Sequence, residues 1–526
     1  MVFFSLTLIT PVGLLCAAAF AFSGRGRRPA YIGSVLQLIA IMGMLGGIAA
    51  AISLALSGPY SIPLIGPKAF ELTLRIDVIS ISMLLLVTFI GWIVLRFSVA
   101  YLDGEAQQGA FMGWMAATLG TVLVFVQAGD LITLTFAWIA TSLCLHRLLL
   151  FYPGRIQARR AARKKFIVAR ISDGALVGAA ILLTISYGTT DITNILQKAS
   201  LGEAPVAVIV AVALLAMAAL LKSAQFPTHG WLTEVMEAPT PVSALLHAGV
   251  INAGGFLLIR FADVMLLSPG VLAVLVMIGG FTALLGGLAM LAQPAVKTSL
   301  AWSTIAQMGF MIMQCGLALF PLALLHIIAH SLYKAHAFLS SGGAVETVAA
   351  IQRPGPVAIP GAGAVLRAFG LALAIYIVIG LAFGIENKSP QALALGAILI
   401  LGVAYLIAQG LADRAPRALT LRTTVYSVAA SISYFALQIG AEWLTAGTLP
   451  ATPAPQPLEW ALLVLAIFSF GLVAVAQATF PLWAPHPAAA GLRVHLSNGL
   501  YANAIFDRLI RNWSVQPSTH KSEKEA

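Results

Sequence analysis

The stretch "LLKSAQFPTHGWLTEVMEAPTPVSALLHAG", residues 220–249, places charged side chains and prolines in a chain that is otherwise strongly apolar. Lys222 ends an apolar run that begins near Val206, and Pro227 follows shortly after it. Proline removes a helical hydrogen bond, so a helix that breaks here exposes backbone groups that must face protein or water. The stretch therefore predicts a membrane helix broken near residues 222–227, followed by a second span that carries His247.

The composition of the whole chain indicates a helical membrane protein. Hydrophobic residues make up 60% of the 526 residues and charged residues 9%, against roughly 25% charged in an average soluble domain. Apolar runs recur near the ~20 residues that a helix needs to cross a bilayer, and alternating short strands are absent. The predicted fold is an all-α integral membrane protein. It has about fifteen transmembrane helices, with centres near Leu14, Met42, Leu85, Thr118, Ile139, Gly178, Leu214, Val250, Ile278, Met308, Ala335, Ala374, Leu401, Ala430 and Ile467.

The sequence also excludes several classes of function. Cys16, Cys144 and Cys315 lie far apart inside apolar runs, without the spacing of an iron–sulfur, haem or zinc-thiolate site. Glycine-rich patterns for nucleotide phosphates are missing. We therefore expect no cofactor and no nucleic-acid partner, and any work must be driven by an ion gradient or by another subunit.

Basic residues concentrate in alternate loops of the predicted bundle, and this pattern predicts its orientation. By the positive-inside rule the loops rich in lysine and arginine face the cytoplasm. That places the N-terminus outside and, with an odd number of spans, the C-terminus inside. The net charge of +11 then mainly reflects topology. The basic groups are Arg25, Arg27 and Arg28; Arg155, Arg159, Arg160, Arg163, Lys164 and Lys165; and Lys297, Arg353, Arg367, Arg414, Arg417 and Arg422.

The segment after the last span has the pattern of an amphipathic helix on the cytoplasmic side. Leu496, Leu500, Ile505, Leu509 and Trp513 recur at helical spacing, with arginines nearby. Such a helix could lie on the lipid surface or dock a soluble partner, and the sequence favours neither over the other.

Charged and histidine side chains inside the predicted spans are the candidate functional residues, because each costs at least ~2.5 to 3.5 kcal/mol at the bilayer centre. Lys222 and His247 form a first group at the broken helix. The alternative is that Lys222 extends its amine to the membrane surface and that His247 is an ordinary core histidine. Arg170 and Asp173, three residues apart, could pair on one helical face, either for structure alone or to modulate the charge of Lys222. Further candidates in a supporting role are Glu237, His336 and Glu346.

A second group lies in "HIIAHSLYKAHAF", residues 326–338. His326, His330 and Lys334 follow one another at spacings of four, which places them on one helical face roughly 6 Å apart. Histidine exchanges protons near neutral pH, so this stripe predicts a proton or cation relay. The spacing of the two histidines also suits a metal, but no glutamate or cysteine accompanies them and Lys334 would repel a cation. We therefore predict no metal site.

These segments together resemble the antiporter-like membrane subunits of respiratory complex I and of Mrp cation/proton antiporters. The resemblance is carried by residues 220–249, by "KKFIVARISD" (164–173), by "VKTSLAWSTIAQMGFM" (296–311) and by residues 326–338. It implies two inverted five-helix repeats, each with a broken helix, and a hydrated ion path. The implied division is 1–105 for N-terminal helices, 106–262 for the first repeat, 263–412 for a degenerate second repeat, 413–485 for C-terminal helices and 486–526 for the cytoplasmic segment. By position, Lys222 resembles the broken-helix lysine of the family.

The chain departs from that family at two places. Ile139, in "FAWIATSLCLHRLLLF" (136–151), stands where the family has the glutamate that partners the broken-helix lysine. Residues 366–384 carry no charge apart from Arg367, where the family has a second charged broken helix. The chain also lacks the long lateral helix of the distal complex I subunit. These departures make two-channel antiport and redox-driven pumping poor descriptions of it.

A closer resemblance is to the DabB family, membrane subunits of two-component systems that accumulate dissolved inorganic carbon in bacteria. It is carried by "EVMEAPTPVSALLHAGVINAGGFLLIRFAD" (234–263) and "VHLSNGLYANAIFDRL" (494–509). The resemblance implies a soluble partner, DabA, that is similar to a zinc-containing β-carbonic anhydrase. It also implies that H⁺ or Na⁺ flow through the membrane subunit drives hydration of carbon dioxide to bicarbonate in that partner.

The expected function is thus a cation-translocating subunit of an inorganic-carbon pump in the bacterial inner membrane, with no enzymatic activity of its own. One alternative is a proton-pumping subunit of a complex I-like oxidoreductase or of an Mrp antiporter. Another is a scaffold that only anchors a soluble enzyme, for which loss of the buried charges would be harmless.

Overall fold

A computed structural model describes residues 6–23, 31–65, 71–343, 361–410 and 417–511 of the chain. Helices dominate this part of the chain, together with an antiparallel hairpin of strands β1 (Tyr60–Ile65) and β2 (Leu72–Ile76). The helices are α1 (Leu6–Ser23), α2 (Ile32–Ser57), α3 (Val78–Tyr101), α4 (Gln108–Gln127), α5 (Leu131–Leu149), α6 (Ile156–Tyr187), α7 (Ile192–Ser200), α8 (Val206–Lys222), α9 (Gly230–Glu234), α10 (Thr240–Ala248), α11 (Ala253–Arg260), α12 (Ala262–Met265), α13 (Pro269–Leu291), α14 (Val296–Gly316), α15 (Phe320–Leu339), α16 (Ala362–Ala382), α17 (Pro390–Gly410), α18 (Arg417–Thr445), α19 (Pro457–Ala478), α20 (Phe480–Trp483), α21 (Pro487–Ser497) and α22 (Ala502–Leu509).

Eleven helical segments of the described residues are long and apolar enough to cross a membrane. They are α2 to α6, α10 together with α11, α13, α15, α16, α18 and α19; shorter apolar segments lie in α1, α8 and α17. The predicted helical fold with many spans is therefore confirmed. Each predicted span centre lies in a helix, except that Val250 lies in the short turn between α10 and α11; α14, which contains Met308, is not among the apolar segments counted above. The total of fifteen spans, the inverted repeats, the domain division and the orientation stay predictions.

Close packing of α13 on α14 positions two hydroxyl groups that the site uses. A Cβ on Gly309 would lie 2.5 Å from the amide nitrogen of Ala283, so these backbones approach more closely than any larger side chain would allow. Small residues permit such contact between membrane helices. The pair carries Thr282, which accepts a hydrogen bond from the Phe226 amide, and Thr304, which contacts His247.

The β-hairpin holds one end of the bundle together. The Thr73 amide in β2 donates to the carboxylate of Asp130, which also caps α5 by accepting from the Thr133 amide. Asp77 follows β2 and caps α3, accepting from the Ser80 amide at 2.8 Å. Hairpin and helix ends are thus joined by the carboxylates that begin the helices.

Asp77 also pairs with the buried arginine at the end of α11. Its Oδ2 lies 2.5 Å from Nη1 of Arg260 and 2.8 Å from Nε of Arg75. Asp77 and Arg260 are both almost fully buried. Since α11 continues the span that carries His247, this ion pair fixes the far end of that span against α3.

The C-terminal segment, residues 487–511, differs from the single amphipathic helix predicted for it. Helices α21 and α22 are separated by a turn in which Leu500 and Tyr501 have positive φ angles of 53° and 61°. The prediction of one continuous helix was therefore wrong, because hydrophobic periodicity does not show where a backbone turns. Trp513, the last residue of the predicted pattern, lies outside the described residues.

Replacing Asp77 by asparagine tests the ion pair with Arg260. Asparagine caps a helix about as well as aspartate, so Asp77→Asn mainly leaves Arg260 buried without a counter-charge. We expect a loss of about 3 kcal/mol in the free energy of unfolding, measured as a lower melting temperature in detergent. Asp191→Asn is the matched control, because Asp191 caps α7 by accepting from the Asn194 amide. Equal melting temperatures for the two variants would contradict the assignment.

Candidate ion path

Helix α8 ends at Lys222, as the sequence predicts, and residues 223–229 form turns before α9 begins. Protein groups satisfy the freed backbone. The Ser223 amide donates to the carbonyl of Ala219 and the Gln225 amide to that of Leu220. The Ser223 hydroxyl donates to the carbonyl of Ile251 at 3.2 Å. The break is thus held by neighbouring segments, which allows it to persist inside the bundle.

The amine of Lys222 lies in the interior of the bundle. The residue is 6% exposed, and its Nζ has no hydrogen-bond acceptor among the described residues. It lies 4.3 Å from the centre of the Trp138 ring, an arrangement that stabilises a cation. Ile139, the next residue of α5, is partly buried. An aromatic ring of α5 therefore contacts Lys222.

Asp173 pairs with Arg170, as the sequence predicts. The two groups approach to 2.6 Å within α6. Asp173 is also the carboxylate that acts electrostatically on Lys222. Both interpretations of this pair, structural and modulating, are compatible with its position.

A small cavity connects Lys222 to the turn between α10 and α11. The cavity has a volume of about 30 Å³. Its lining residues include Trp138, Thr141, Lys222, Gly249 and Asn252. The amide of Asn252 then donates to the hydroxyl of Ser331 on α15 at 2.8 Å. Polar groups thus lead from the broken helix to the helix that carries the histidine stripe.

His247 is fully buried on α10 and contacts both α14 and α15. Its Nδ1 lies 3.0 Å from the hydroxyl of Thr304, and its ring stacks on Phe338. Its backbone carbonyl accepts a hydrogen bond from Nε2 of His330 at 3.1 Å. The structure therefore brings together two histidines that stand 83 residues apart in sequence.

His326, His330 and Lys334 lie on one face of α15, as their spacing predicts. The rings of His326 and His330 are 6.1 Å apart, and Nδ1 of His326 lies 2.8 Å from Oε1 of Gln314. The Lys334 amine donates to the Ser303 hydroxyl at 2.7 Å and to the Leu300 carbonyl at 3.3 Å. Leu300 also accepts from the hydroxyl of Thr304, the contact of His247.

His326 and His330 line a larger open cavity, here called the histidine cleft. Its volume is about 650 Å³, and Gln314, Ser433 and Tyr434 are among its other lining residues. Helix α16 runs unbroken from Ala362 to Ala382 and carries no charge apart from Arg367.

The supporting residues lie outside this arrangement. Glu237 pairs with Arg155 at 3.2 Å, and both side chains are about half exposed. His336 is exposed on α15, away from the stripe, and Glu346 lies outside the described residues. No group of three or more potential metal-ligating side chains occurs in the described part of the chain.

Two buried lysines were assigned to a cytoplasmic loop on sequence grounds, and this assignment was wrong. Helix α6 already begins at Ile156, so Lys164 and Lys165 lie within it, 0% and 5% exposed. Periodicity could have suggested Lys165, because it stands eight residues before Asp173 and so within about a quarter turn of it on the helix. A run of basic residues obscured that signal.

Lys164 connects the region after the broken helix to the C-terminal segment. Its Nζ lies 2.6 Å from carboxylate oxygens of both Glu234 and Asp507. It also donates to Oδ1 of Asn503, whose amide donates to Glu234. A Cβ on Gly230 would lie only 1.7 Å from that same Asn503 oxygen. The C-terminal segment therefore packs directly on α9, the first helix after the break.

Comparisons with known proteins agree with this architecture. Residues 128–353 match the family described as "NADH:quinone oxidoreductase/Mrp antiporter, TM", and residues 62–112 match "NADH-Ubiquinone oxidoreductase (complex I), chain 5 N-terminus". "Probable inorganic carbon transporter subunit DabB2" of Halothiobacillus neapolitanus is 38% identical over 464 residues, which are 87% of this chain and 83% of that protein. The chain belongs to the DabB family.

Further matches support membership of the DabB family within the antiporter-like group. "Probable inorganic carbon transporter subunit DabB" of Hydrogenovibrio crunogenus is 48% identical over 270 residues, 51% of this chain and 52% of that protein. This match thus spans about half the length of each protein. The solved Mrp complex of Dietzia sp. gives a TM-score of 0.65 at 23% identity, covering 96% of this chain and 59% of the Mrp chain. That likeness concerns the fold alone.

Gly230→Ala tests the docking of the C-terminal segment. The added methyl group would displace Asn503 and, with it, the contacts to Lys164 and Glu234. Overpacking costs roughly 1–3 kcal/mol, which corresponds to about tenfold faster amide hydrogen exchange in residues 499–509. Gly174→Ala in α6 is the control, because a Cβ there meets nothing within 4 Å. Unchanged exchange in Gly230→Ala would show that the segment does not depend on this contact.

Proposed function

We propose that this DabB-family chain is the proton-translocating membrane subunit of an energy-coupled inorganic-carbon uptake pump in the bacterial plasma membrane. Membership of the DabB family supports the substrate class. The arrangement of buried titratable groups supports the ion. The chain itself would carry out transport rather than hydration chemistry.

The observation that carries the proposal is the hydrogen bonding of the three histidines. His330 must donate through Nε2, because the carbonyl of His247 can only accept. His326 likewise donates through Nδ1 to the Gln314 oxygen. The single hydroxyl hydrogen of Thr304 is directed to the Leu300 carbonyl, so His247 donates through Nδ1 to Thr304.

Each neutral ring is therefore left with one basic nitrogen. These atoms are Nε2 of His247, Nδ1 of His330 and Nε2 of His326, and none has a partner among the described residues. Each is oriented by its other nitrogen and is ready to accept a proton. We propose a route between Lys222 and the histidine cleft that passes through the small cavity, His247, His330 and His326. Lys334 would modulate the relay through Leu300 and Thr304.

The proposed partner is a soluble DabA-like subunit of carbonic-anhydrase type that holds its own zinc. With the N-terminus outside, the broken-helix loop and the C-terminal segment would face the cytoplasm, where such a partner resides. Proton flow inward would drive hydration of carbon dioxide to bicarbonate in one direction. The Lys164 contacts make the C-terminal segment a direct route from that surface to the broken helix.

A second candidate is a subunit of a complex I-like oxidoreductase or of an Mrp antiporter, which the matching family also includes. Ile139 beside Trp138, together with the unbroken and nearly uncharged α16, favours the first proposal. A passive anchor for a soluble enzyme is the third candidate, and the variants below separate it from both.

Lys222→Ala and Lys334→Ala test the ion path. In a host without carbonic anhydrase, we expect either variant to lower growth in air, or uptake of labelled inorganic carbon, by about tenfold or more. Lys198→Ala is the control, because Lys198 lies on α7 and its amine donates to the backbone carbonyl of Tyr187. Normal growth of both variants, with the complex still assembled, would contradict an ion path and favour the passive anchor.

Copurification tests the partner. We expect the tagged chain to retain a soluble protein that contains zinc in near-stoichiometric amount. Recovery of quinone-reductase subunits instead would support the second candidate. Deletion of residues 492–526 should weaken retention of the zinc protein, and full retention would show that the C-terminal segment is not part of the docking surface.

A further inference from the structure

Lys165 is a buried titratable group that the proposed path does not yet use. It lies on α6 and is 5% exposed. Its amine donates to the backbone carbonyl of Ser142 at 2.7 Å and to the hydroxyl of the same residue at 2.9 Å. These two acceptors on α5 fix the amine in place and leave one of its three hydrogens free when it is charged.

Lys165 and Lys222 line the same cavity. The other lining residues include Leu145, Val168 and Trp231, so its walls are mostly apolar. The cavity has a volume of about 10 Å³, which is enough for roughly one water molecule. A single water is the shortest bridge through which two amines can exchange a proton.

The charges around this cavity disfavour simultaneous protonation of Lys165 and Lys222. Besides Lys222, the groups that act electrostatically on Lys165 are Arg170, Asp173 and the thiol of Cys144. Asp173 is already paired with Arg170. Two ammonium groups in an apolar space repel each other, so one carries the proton more readily when the other is neutral. This coupling favours transfer between them over simultaneous charging.

We propose that Lys165 is a second proton carrier, which exchanges a proton with Lys222 across this cavity, at the broken-helix end of the path. This inference rests on the proposed proton translocation. In the step, an N–H bond of the Lys165 ammonium breaks and its proton passes to the bridging water. The water releases another proton, which forms an N–H bond on the Lys222 amine. No electrons are transferred, and the water is regenerated.

The position of Lys165 provides a titratable partner for Lys222, although residue 139 is an isoleucine. Protonation of Lys165 repels the proton on Lys222, and deprotonation of Lys165 allows Lys222 to bind a proton again. The Lys165 amine thus changes the charge beside Lys222, as a carboxylate partner would, but by repulsion instead of attraction.

Three substitutions of Lys165 separate proton transfer from a structural role. Lys165→Gln keeps a donor for the Ser142 carbonyl but cannot carry a proton. Lys165→Arg keeps the positive charge but does not release its proton. Lys165→His restores a group that titrates. Proton flux into proteoliposomes that contain the purified complex should fall by about tenfold or more in the Gln and Arg variants. The His variant should regain flux with an altered pH profile.

The controls distinguish this inference from the proposed function. Flux near the wild-type level in Lys165→Gln or Lys165→Arg, with Lys222→Ala inactive, would overturn the role of Lys165 and leave the ion path intact. Normal flux in Lys222→Ala as well would overturn the path itself. Melting temperature and subunit content are measured for each variant. If Lys165→Gln does not assemble, the Arg and His variants are compared instead. Wild-type proton flux in Lys165→Arg would contradict proton transfer through Lys165. Absence of proton flux in an assembled Lys165→His complex would contradict it as well. Lys198→Gln is the matched lysine control.

Discussion

A charged amine in the membrane interior requires protein groups around it, and the end of α8 at Lys222 meets that requirement. The helix stops there because the backbone beyond it is bound by Thr282, by the turn after α10 and by its own carbonyls. Lys222 itself lies against the Trp138 ring. The positions of α9, α10 and the two cavities beside Lys222 all follow from this interruption, so the candidate path depends on it.

The two ends of the bundle stabilise that interruption in different ways. At one end, Asp77 and the hairpin hold Arg260 and therefore the span that carries His247. At the other end, Lys164 joins α9 to the C-terminal segment through Glu234 and Asp507. The first contact is buried, whereas the second involves a segment with large exposed apolar side chains such as Ile505 and Leu509.

The histidines show how tertiary contacts turn a sequence pattern into chemistry. A spacing of four predicts that His326 and His330 share a face, which the structure confirms. The identity of the basic nitrogen in each ring depends instead on Gln314, the His247 carbonyl and Thr304. These acceptors come from other helices, so no pattern within residues 326–338 could have identified them.

The sequence by itself determined the membrane-spanning helices, the break after Lys222 and the stripe on α15. These features depend on apolar length, proline chemistry and helical period, which are properties of neighbouring residues. Only the tertiary structure decided that Lys165 is buried beside Lys222, that Lys164 binds Asp507 and that the C-terminal segment turns at Leu500. Each of these depends on contacts between residues far apart in the chain, and the charge run 155–165 looks the same whether its lysines face water or the protein interior.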